Sequence, residues 1–392
     1  KFVGYKPTSK AITIQKGETL TMNWVLDPEV SELEEFVVVG YGIQQKSVVT
    51  GAISGVKSKD LESKPIMRLE QALQGRTSGV TIAASSGAPG AGATVRVRGT
   101  TNFNYSDPLY VVDGTPVDVG GIDYLNPSDI ESIEILKDAA SAAIYGTRAA
   151  NGVIIVTTKK GASGSMRVNY HTYFGTQSPA KKLDLLNATE YATIRNEMLV
   201  NSGGQPLYAN PGQFGEGTDW QDVIFNKNAM VQNHEFSVNG GNDRSTYYLS
   251  LGYFNQEGIV ATDISKYKRL NLRLNMTHKV NDWLRLGNNF GYSHIKSQGA
   301  LNTNSEFGGP LSSAINLDPI TPLYITDPAI AGLPLYNNDT TPAVRDANGV
   351  LYGISDVVGQ EMTNPLAYIA THLGNYGWSD NFVGNLFAEI EP

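Results

Sequence analysis

Thr101-Asn102-Phe103-Asn104-Tyr105 interleaves amides with aromatic rings. Amides can hydrogen-bond hydroxyl groups and rings can stack on flat faces, so Asn102, Phe103, Asn104 and Tyr105 are a candidate binding segment, against the competing reading of a solvated loop whose rings pack on neighbouring structure. Nothing comparable points to catalysis. The five histidines, at 171, 234, 278, 294 and 372, have no close metal-ligand spacing, so no metal, cofactor or catalytic residue is expected. His171 and His294 fall on alternating strands and read as interior or interface residues. Glu131 and Glu134 lack an evident acid–base partner. Asp107, Asp318, Asp327 and Asp339 sit beside Pro or Thr, as turn residues do. Ser86-Gly87-Ala88-Pro89-Gly90 lacks a following Lys-Ser/Thr and opens no helix, so it does not read as a phosphate loop.

A second constellation is mechanical. Glu34-Glu35-Phe36-Val37-Val38-Val39-Gly40-Tyr41-Gly42 leads two acids into a β-branched run between flexible flanks. Such a run is either one more buried strand or an exposed strand offered to a partner's sheet edge.

The elements that must position these residues fall into two styles. Residues 1–33 read as the last strands of a small β-sandwich, with Ala11–Gln15 and Thr19–Leu26 joined at Gly17-Glu18. Residues 43–162 read as compact α+β. Strands are expected at Val48–Val56, Val80–Ala84, Ala93–Arg98, Leu109–Asp113, Ile133–Leu136 and Val153–Thr158. Ile66, Leu69 and Leu73 fall at helical spacing. Asn126 caps a short helix at Pro127. Asp138 caps another over Ala139–Tyr145, which Gly146 ends.

From Ser165 the period becomes two. Leu270, Leu272, Leu274 and Met276 alternate with Arg269, Asn271, Arg273 and Asn275, and five more stretches between Met166 and Ile390 behave alike, His234–Val238 and Phe382–Ile390 more weakly. Asn288 interrupts one of these apolar series. A leucine face edged by aromatics, opposite arginines and asparagines, suits a membrane barrel with a wet interior better than a soluble sandwich. The connections alternate strictly: Gln177–Met230 long, Asn239–Asp243 short, Asn255–Tyr267 longer, Val280–Asp282 short, Lys296–Tyr376 long. Outer-membrane barrels place short turns on the periplasmic side and long loops outside. That phase puts the α+β unit below.

Composition bounds the reading. The 392 residues carry a net charge of −8, which argues against nucleic acid as a partner. There are no cysteines, so disulfides and thiolate metal sites are excluded. No run is long enough for a membrane helix, which does not exclude a barrel. The first residues read as the middle of a domain, hence a mature or truncated chain.

EEFVVVGYG at 34–42, LQGRTSGV at 73–80, VRVRGTTN at 95–102, PLYVVDGTP at 108–116, IESIEILKDAASAAIYGTRAANGVIIVTTKKG at 130–161 and YYLSLGYFNQEGIV at 247–260 together resemble the SusC-like (SusC/RagA) family of TonB-dependent outer-membrane transporters. The resemblance implies a mainly β protein: a plugged transmembrane antiparallel β-barrel with an N-terminal α+β plug. It divides the chain into residues 1–33, the end of a carboxypeptidase-regulatory-like β-sandwich; 34–42, a TonB box segment; 43–162, the plug; and 163–392, the first strands and extracellular loops of a barrel. About six strands are legible where such a barrel needs about 22, so an N-terminal portion of a longer chain is expected. The implied function is TonB-driven nutrient import, oligosaccharide first and peptide second, under a SusD-like lipoprotein lid, in contact with outer-membrane lipid. A dimer of transporter–lipoprotein pairs is left open. Phe36, Val37, Val38, Val39 and Gly40 match the TonB box. Asn102–Tyr105 would lie on the floor of the binding cavity. The alternatives are a ligand-gated signal transducer and a soluble β-rich glycan-binding module.

Overall fold

The computed structural model describes residues 17, 36–39, 42–45, 53–58, 68–100, 106–117, 122, 124–138, 143–299, 309–334, 336–337, 342–358 and 362–390. The expected β-sandwich at 1–33 and the substrate candidates Asn102, Phe103, Asn104 and Tyr105 lie outside the described residues, as does Gly40.

The first described strands are β1 (Phe36–Val39) and β2 (Gly42–Gln45), an antiparallel pair with Phe36 opposite Gln45 and Val39 opposite Gly42. The plug follows. Its main sheet contains β3 (Ile53–Lys57), β6 (Leu109–Val112), β7 (Thr115–Val117), β8 (Ile130–Leu136) and β9 (Val153–Thr158), in the order β3-β8-β9-β6-β7. A separate hairpin joins β4 (Val80–Ala84) to β5 (Ala93–Val97). β9 is central and reads VIIV because both its faces are covered, as in other doubly covered strands. Ile154 and Val156 pack with Leu69, Leu73, Ile133 and Ile135 on one side, and Val153 and Ile155 with Val111, Leu136 and Tyr145 on the other. The helix at Leu69–Leu73 and the Asn126-capped turn at Pro127–Asp129 form where expected, the latter as a 3₁₀ helix.

The expected helix at Ala139–Tyr145 differs. Residues 139–142 are outside the described set, and Ala143–Ala149 is 3₁₀, kinked at Gly146 (φ 69°, ψ −154°). Asp138 pairs with Arg98 at 2.5 Å. The short side chains around 143–149 bury little beyond Tyr145 and Ala149, so no apolar stripe enforces the wider α turn.

Beyond the plug, six long strands form one antiparallel meander: β10 (Gly164–Gln177), β11 (Ala229–Gly241), β12 (Ser245–Glu257), β13 (Lys266–Lys279), β14 (Leu284–Gln298) and, after two short strands in the last loop (β15, Tyr324–Ile325; β16, Leu351–Tyr352), β17 (Gly377–Ile390). Each has 13 to 15 residues, more than the roughly 9–11 a tilted strand needs to cross a bilayer core. The sheet curves round the plug with inverted polarity. Leu270 is 47% exposed and Leu386 88%, whereas Arg273 is 6% exposed and Asn275 2%. A sheet in water buries its leucines; this one buries its arginines. Asn288 keeps the outward register, opposite Met276 and Leu386, because its amide donates to the Leu274 carbonyl at 3.2 Å.

The long connections are built structures rather than bare loops. The helix Trp220–Ile224 in the first packs Trp220 and Ile224 against Ala314 and Leu317 in the last. Trp220 Nε1 donates to the Asp318 carbonyl at 2.9 Å, and the Thr218 amide to the Pro319 carbonyl at 2.8 Å. Asp318 is a turn residue, as expected, accepting from the Thr321 amide and hydroxyl, each at 2.8 Å.

The loop Ser86–Gly92 reaches the ends of β12 and β13 nearest the long connections. Gly90 (φ 69°) lies flat against the Tyr267 ring, and a Cβ there would fall 2.1 Å from it. Gly90→Ala is expected to destabilise the plug-to-wall fit by about 1–3 kcal/mol through overpacking and the left-handed backbone. Thermal unfolding of the detergent-solubilised full-length protein checks this, and adding Tyr267→Ala should recover much of the loss.

Candidate functional site

Three features of the plug bring polar groups to one end of its sheet. Asp113-Gly114 is the two-residue turn between β6 and β7, with φ 46° and 82°. Asp-Gly suits such a turn because both positions need positive φ. The turn aims the Asp113 carboxylate at β9, where Oδ1 accepts from the Thr158 amide at 2.9 Å and Oδ2 from the Thr158 hydroxyl at 2.7 Å. Asp129 closes the 3₁₀ turn one residue before β8 and is 3% exposed. Thr158 ends β9 beside both.

The wall supplies the complement through strict alternation. On β13 every second side chain points inward, so Asn271, Arg273 and Asn275 meet the plug in a column. Arg273 Nη1 lies 3.3 Å from Asp113 Oδ2 and donates to Thr158 Oγ1 at 3.1 Å; its Nε is 3.9 Å from Asp129 Oδ2. Asn275 donates to Thr158 Oγ1 at 3.0 Å and to the Lys159 carbonyl at 2.7 Å. Asn271 donates to the Tyr124 carbonyl at 2.5 Å. Tyr248 on β12 donates to Asp129 Oδ1 at 2.9 Å, and Asn385 on β17 to the Asp113 carbonyl at 3.0 Å. Two plug carboxylates thus share one wall guanidinium, with wall amides and a phenol filling the remaining acceptors.

The charges in this latch are out of water. Burial raises the Asp129 carboxyl above its ordinary value, opposed by Arg273 and by the Ser250 and Tyr248 hydroxyls. Burial likewise pushes Tyr124 up to about 12. Glu134 on β8 is also raised by burial, with Ser132 and Lys57 opposing. The arrangement is a buried polar attachment whose separation would require the acids and the guanidinium to be rehydrated independently.

Among the described residues, two cavities of several hundred Å³ lie between plug and wall. One, of about 350 Å³, runs beside the latch past Asp129, Asn169, His171, Asn233, Glu235 and Tyr248. The other, of about 440 Å³, lies by the long connections over Ser86–Ala91, with Gln177 and Gln256 in its wall.

The sequence-derived candidates are distributed as follows. Phe36–Val39 is extended, as expected, and pairs with Gly42–Gln45. His171 faces the interior, 3.8 Å from Glu235. His294 faces outward, its Nδ1 2.8 Å from Asp380. Asp107 pairs with Arg96 and serves the fold. Among the described residues, no group of three or more His, Asp or Glu is placed to hold a metal ion. Asp113, Asp129, Tyr248, Arg273 and Asn275 were not singled out, although Asp-Gly between two apolar runs and arginine alternating with leucine were both in view. The loop Ser86–Gly92, which the sequence shows only not to be a phosphate loop, packs on Tyr267 through Gly90.

Residues 45–153 match the family described as the TonB-dependent Receptor Plug Domain. The chain is 34% identical over 397 residues to the TonB-dependent receptor P26 of Formosa agariphila, covering all of this chain and 36% of that protein. It is 35% identical over 333 residues to the TonB-dependent receptor SusC of Bacteroides thetaiotaomicron, covering 82% of this chain and 31% of SusC. The chain belongs to the SusC-like TonB-dependent receptors. It spans about a third of the length of these curated relatives. Its fold superposes on the RagAB peptide importer in the open-open state with a TM-score of 0.72 at 28% identity, over 91% of this chain and 41% of that one. The closed-closed state gives 0.67 at 26% identity, over 88% of this chain and 39% of that one. As in this family of outer-membrane β-barrel receptors, the six-stranded meander is a partial barrel wall round a plug.

Arg273→Ala should cost about 3–5 kcal/mol in plug-to-wall attachment, because it strands two buried acids. Protease access to the plug of the folded, membrane-inserted full-length protein reads this, and Tyr248→Phe should cost less. Attachment should also depend on pH. The raised Asp129 carboxyl binds its proton more tightly in the folded state, so its contribution falls as pH rises from the ordinary carboxylate value of about 4 through the raised value. Glu134 adds a slope of the same sign. Asp129→Asn should flatten the Asp129 part in a urea titration at stepped pH.

Proposed function

We propose that this chain is the plug-bearing portion of an active importer. In this reading residues 34–42 are the TonB box segment, 43–162 the plug and 163–392 the first strands and extracellular loops of the barrel, preceded by the end of a β-sandwich domain at 1–33. The short turns and the N-terminal segment face the periplasm, and the long connections face outward. Phe36, Val37, Val38, Val39 and Gly40 are the TonB-binding residues.

The observation that carries the reading is the order of the plug sheet. Among the described residues β3 is an edge strand, paired on one side only, with β8. It is also the first plug strand after the β1–β2 pair. Load applied at Phe36–Gly40 therefore reaches β3 before the latched end of the sheet. β-strand addition of this segment to a partner sheet would carry the load along backbone hydrogen bonds. Peeling an edge strand breaks its hydrogen bonds in sequence, whereas the latch at Arg273 must break as a unit. The plug would thus open from its N-terminal edge and keep its hold on the wall until substrate binding above and pull below act together.

The cargo is an oligosaccharide or a peptide, taken up under a SusD-like surface lipoprotein. The family resemblance of the sequence motifs supports the first reading, and RagAB, described as a peptide importer, the second. Asn102, Phe103, Asn104 and Tyr105 remain the candidate contacts. The interlocked long connections, fixed by Trp220 and Leu317, are a rigid surface on which a lid could seat.

Deleting Phe36–Gly40 from the full-length protein should abolish energised uptake while leaving outer-membrane assembly and surface binding of substrate unchanged. Radiolabelled uptake into intact cells, with binding measured in de-energised cells, checks both. Uptake at the unmodified rate would overturn the proposal.

A further inference from the structure

The outward face of β13 and β14 is apolar through most of its height: Leu270, Leu272, Leu274 and Met276 on one strand, Leu286, Phe290 and Tyr292 on the other. Toward the long connections that band stops abruptly. Lys268 and Lys296 stand directly opposite each other in the ladder, two residues beyond Leu270 and His294, about 7 Å further along the strands. Both are exposed. Like charges placed directly opposite on one face repel, and neither lysine has an ion pair among the described residues. Two outward acids stand one step away along the ladder: Asp380 is engaged by the Tyr292 hydroxyl at 2.7 Å and by His294 at 2.8 Å, and Glu257 accepts from the Met230 amide at 3.1 Å. Lys266, one step higher, faces Glu257 across the ladder. The Lys268–Lys296 pair thus carries two uncompensated charges on an otherwise apolar surface.

The surroundings are aromatic. The Lys296 ammonium lies 3.7 Å from the centroid of the Tyr376 ring, which fixes it over the face of the sheet. Trp378, opposite Lys296 on β17, is 67% exposed on the same outward face. Aromatic rings with an apolar body and a polar tip mark the level where hydrocarbon gives way to headgroups. Two lysines at that level, held apart by the ladder and open between, match one anion of the adjacent leaflet.

We propose that Lys268 and Lys296, with Tyr376 and Trp378, form a seat for the phosphate of an outer-leaflet lipid headgroup. The site rests on the orientation given under Proposed function, because only then do these ends of β13 and β14 meet the outer leaflet. Its charge complements a phosphomonoester, and its rings cover the first carbons of the attached lipid.

The test uses the full-length protein in detergent, with native mass spectrometry reading bound lipid. Lipid A carrying its phosphomonoesters and the same lipid after dephosphorylation are the two probes. The unmodified protein should retain the phosphorylated form and lose the other. A surface lysine near anionic lipid is worth about 1 kcal/mol, or about fivefold, so K268Q/K296Q should weaken retention about 25-fold. K268R/K296R should restore it. Both variants lie on the outer surface and should leave assembly intact, monitored by heat-modifiable mobility. Equal retention of the two lipids, or undiminished retention by K268Q/K296Q, would overturn the seat. A cysteine placed at Lys296 separates this from a failure of orientation. Labelling by an impermeant maleimide on intact cells supports the outer position, and labelling only after cell disruption would overturn both.

Discussion

Everything in this protein follows from a wall that turns its polar side inward. Arg273 is buried because β13 must show its leucines to lipid, and a strand has only two faces. A guanidinium so placed has to find acid, and it finds Asp113 and Asp129 on the plug. Plug and wall are therefore joined by the groups that lipid excludes from the outer face. The attachment is strong when whole and poor when half-made, since one stranded buried charge costs more than the pair contributes. Such a joint holds or releases with little between.

The plug sheet distributes this constraint. Its central strand is apolar on both faces and gives the unit its own core. The end formed by Asp113, Asp129 and Thr158 is fastened to β12, β13 and β17. The edge strand β3 has one hydrogen-bonded neighbour among the described residues, β8, and follows the extended Phe36–Val39 segment in the chain. Ser86–Gly92 adds a second attachment near the long connections, where Gly90 lets the loop lie against Tyr267. A unit fastened at one place and peelable at another can be opened in stages.

Much of this was legible in the residues. The two-residue period assigned the six long strands, because a lipid-facing leucine cannot exchange places with a plug-facing asparagine without a cost on both sides. The alternation of short and long connections gave the meander. The buried run Val153–Val156 and the Asn126 cap formed as read. The latch was not legible, because Asp113 and Arg273 are 160 positions apart and only the sheet's curvature round the plug brings them together. The long connections were also under-read. Trp220 meets Leu317 across that curvature, and no local pattern announces a core built from two distant loops. Of the helix expected over Ala139–Tyr145, only residues 143–145 are described, and they open a 3₁₀ turn that kinks at Gly146 with a left-handed φ of 69°.

The central claim is that import requires the plug to part from the wall at the latch. Thr158 and Asn275 have short side chains that meet there at 3.0 Å. With Thr158→Cys and Asn275→Cys in the full-length protein, the account predicts that uptake into energised cells is lost when the disulfide is formed and returns on reduction. Uptake at the same rate in the oxidised and reduced states, with the cross-link verified, would contradict it.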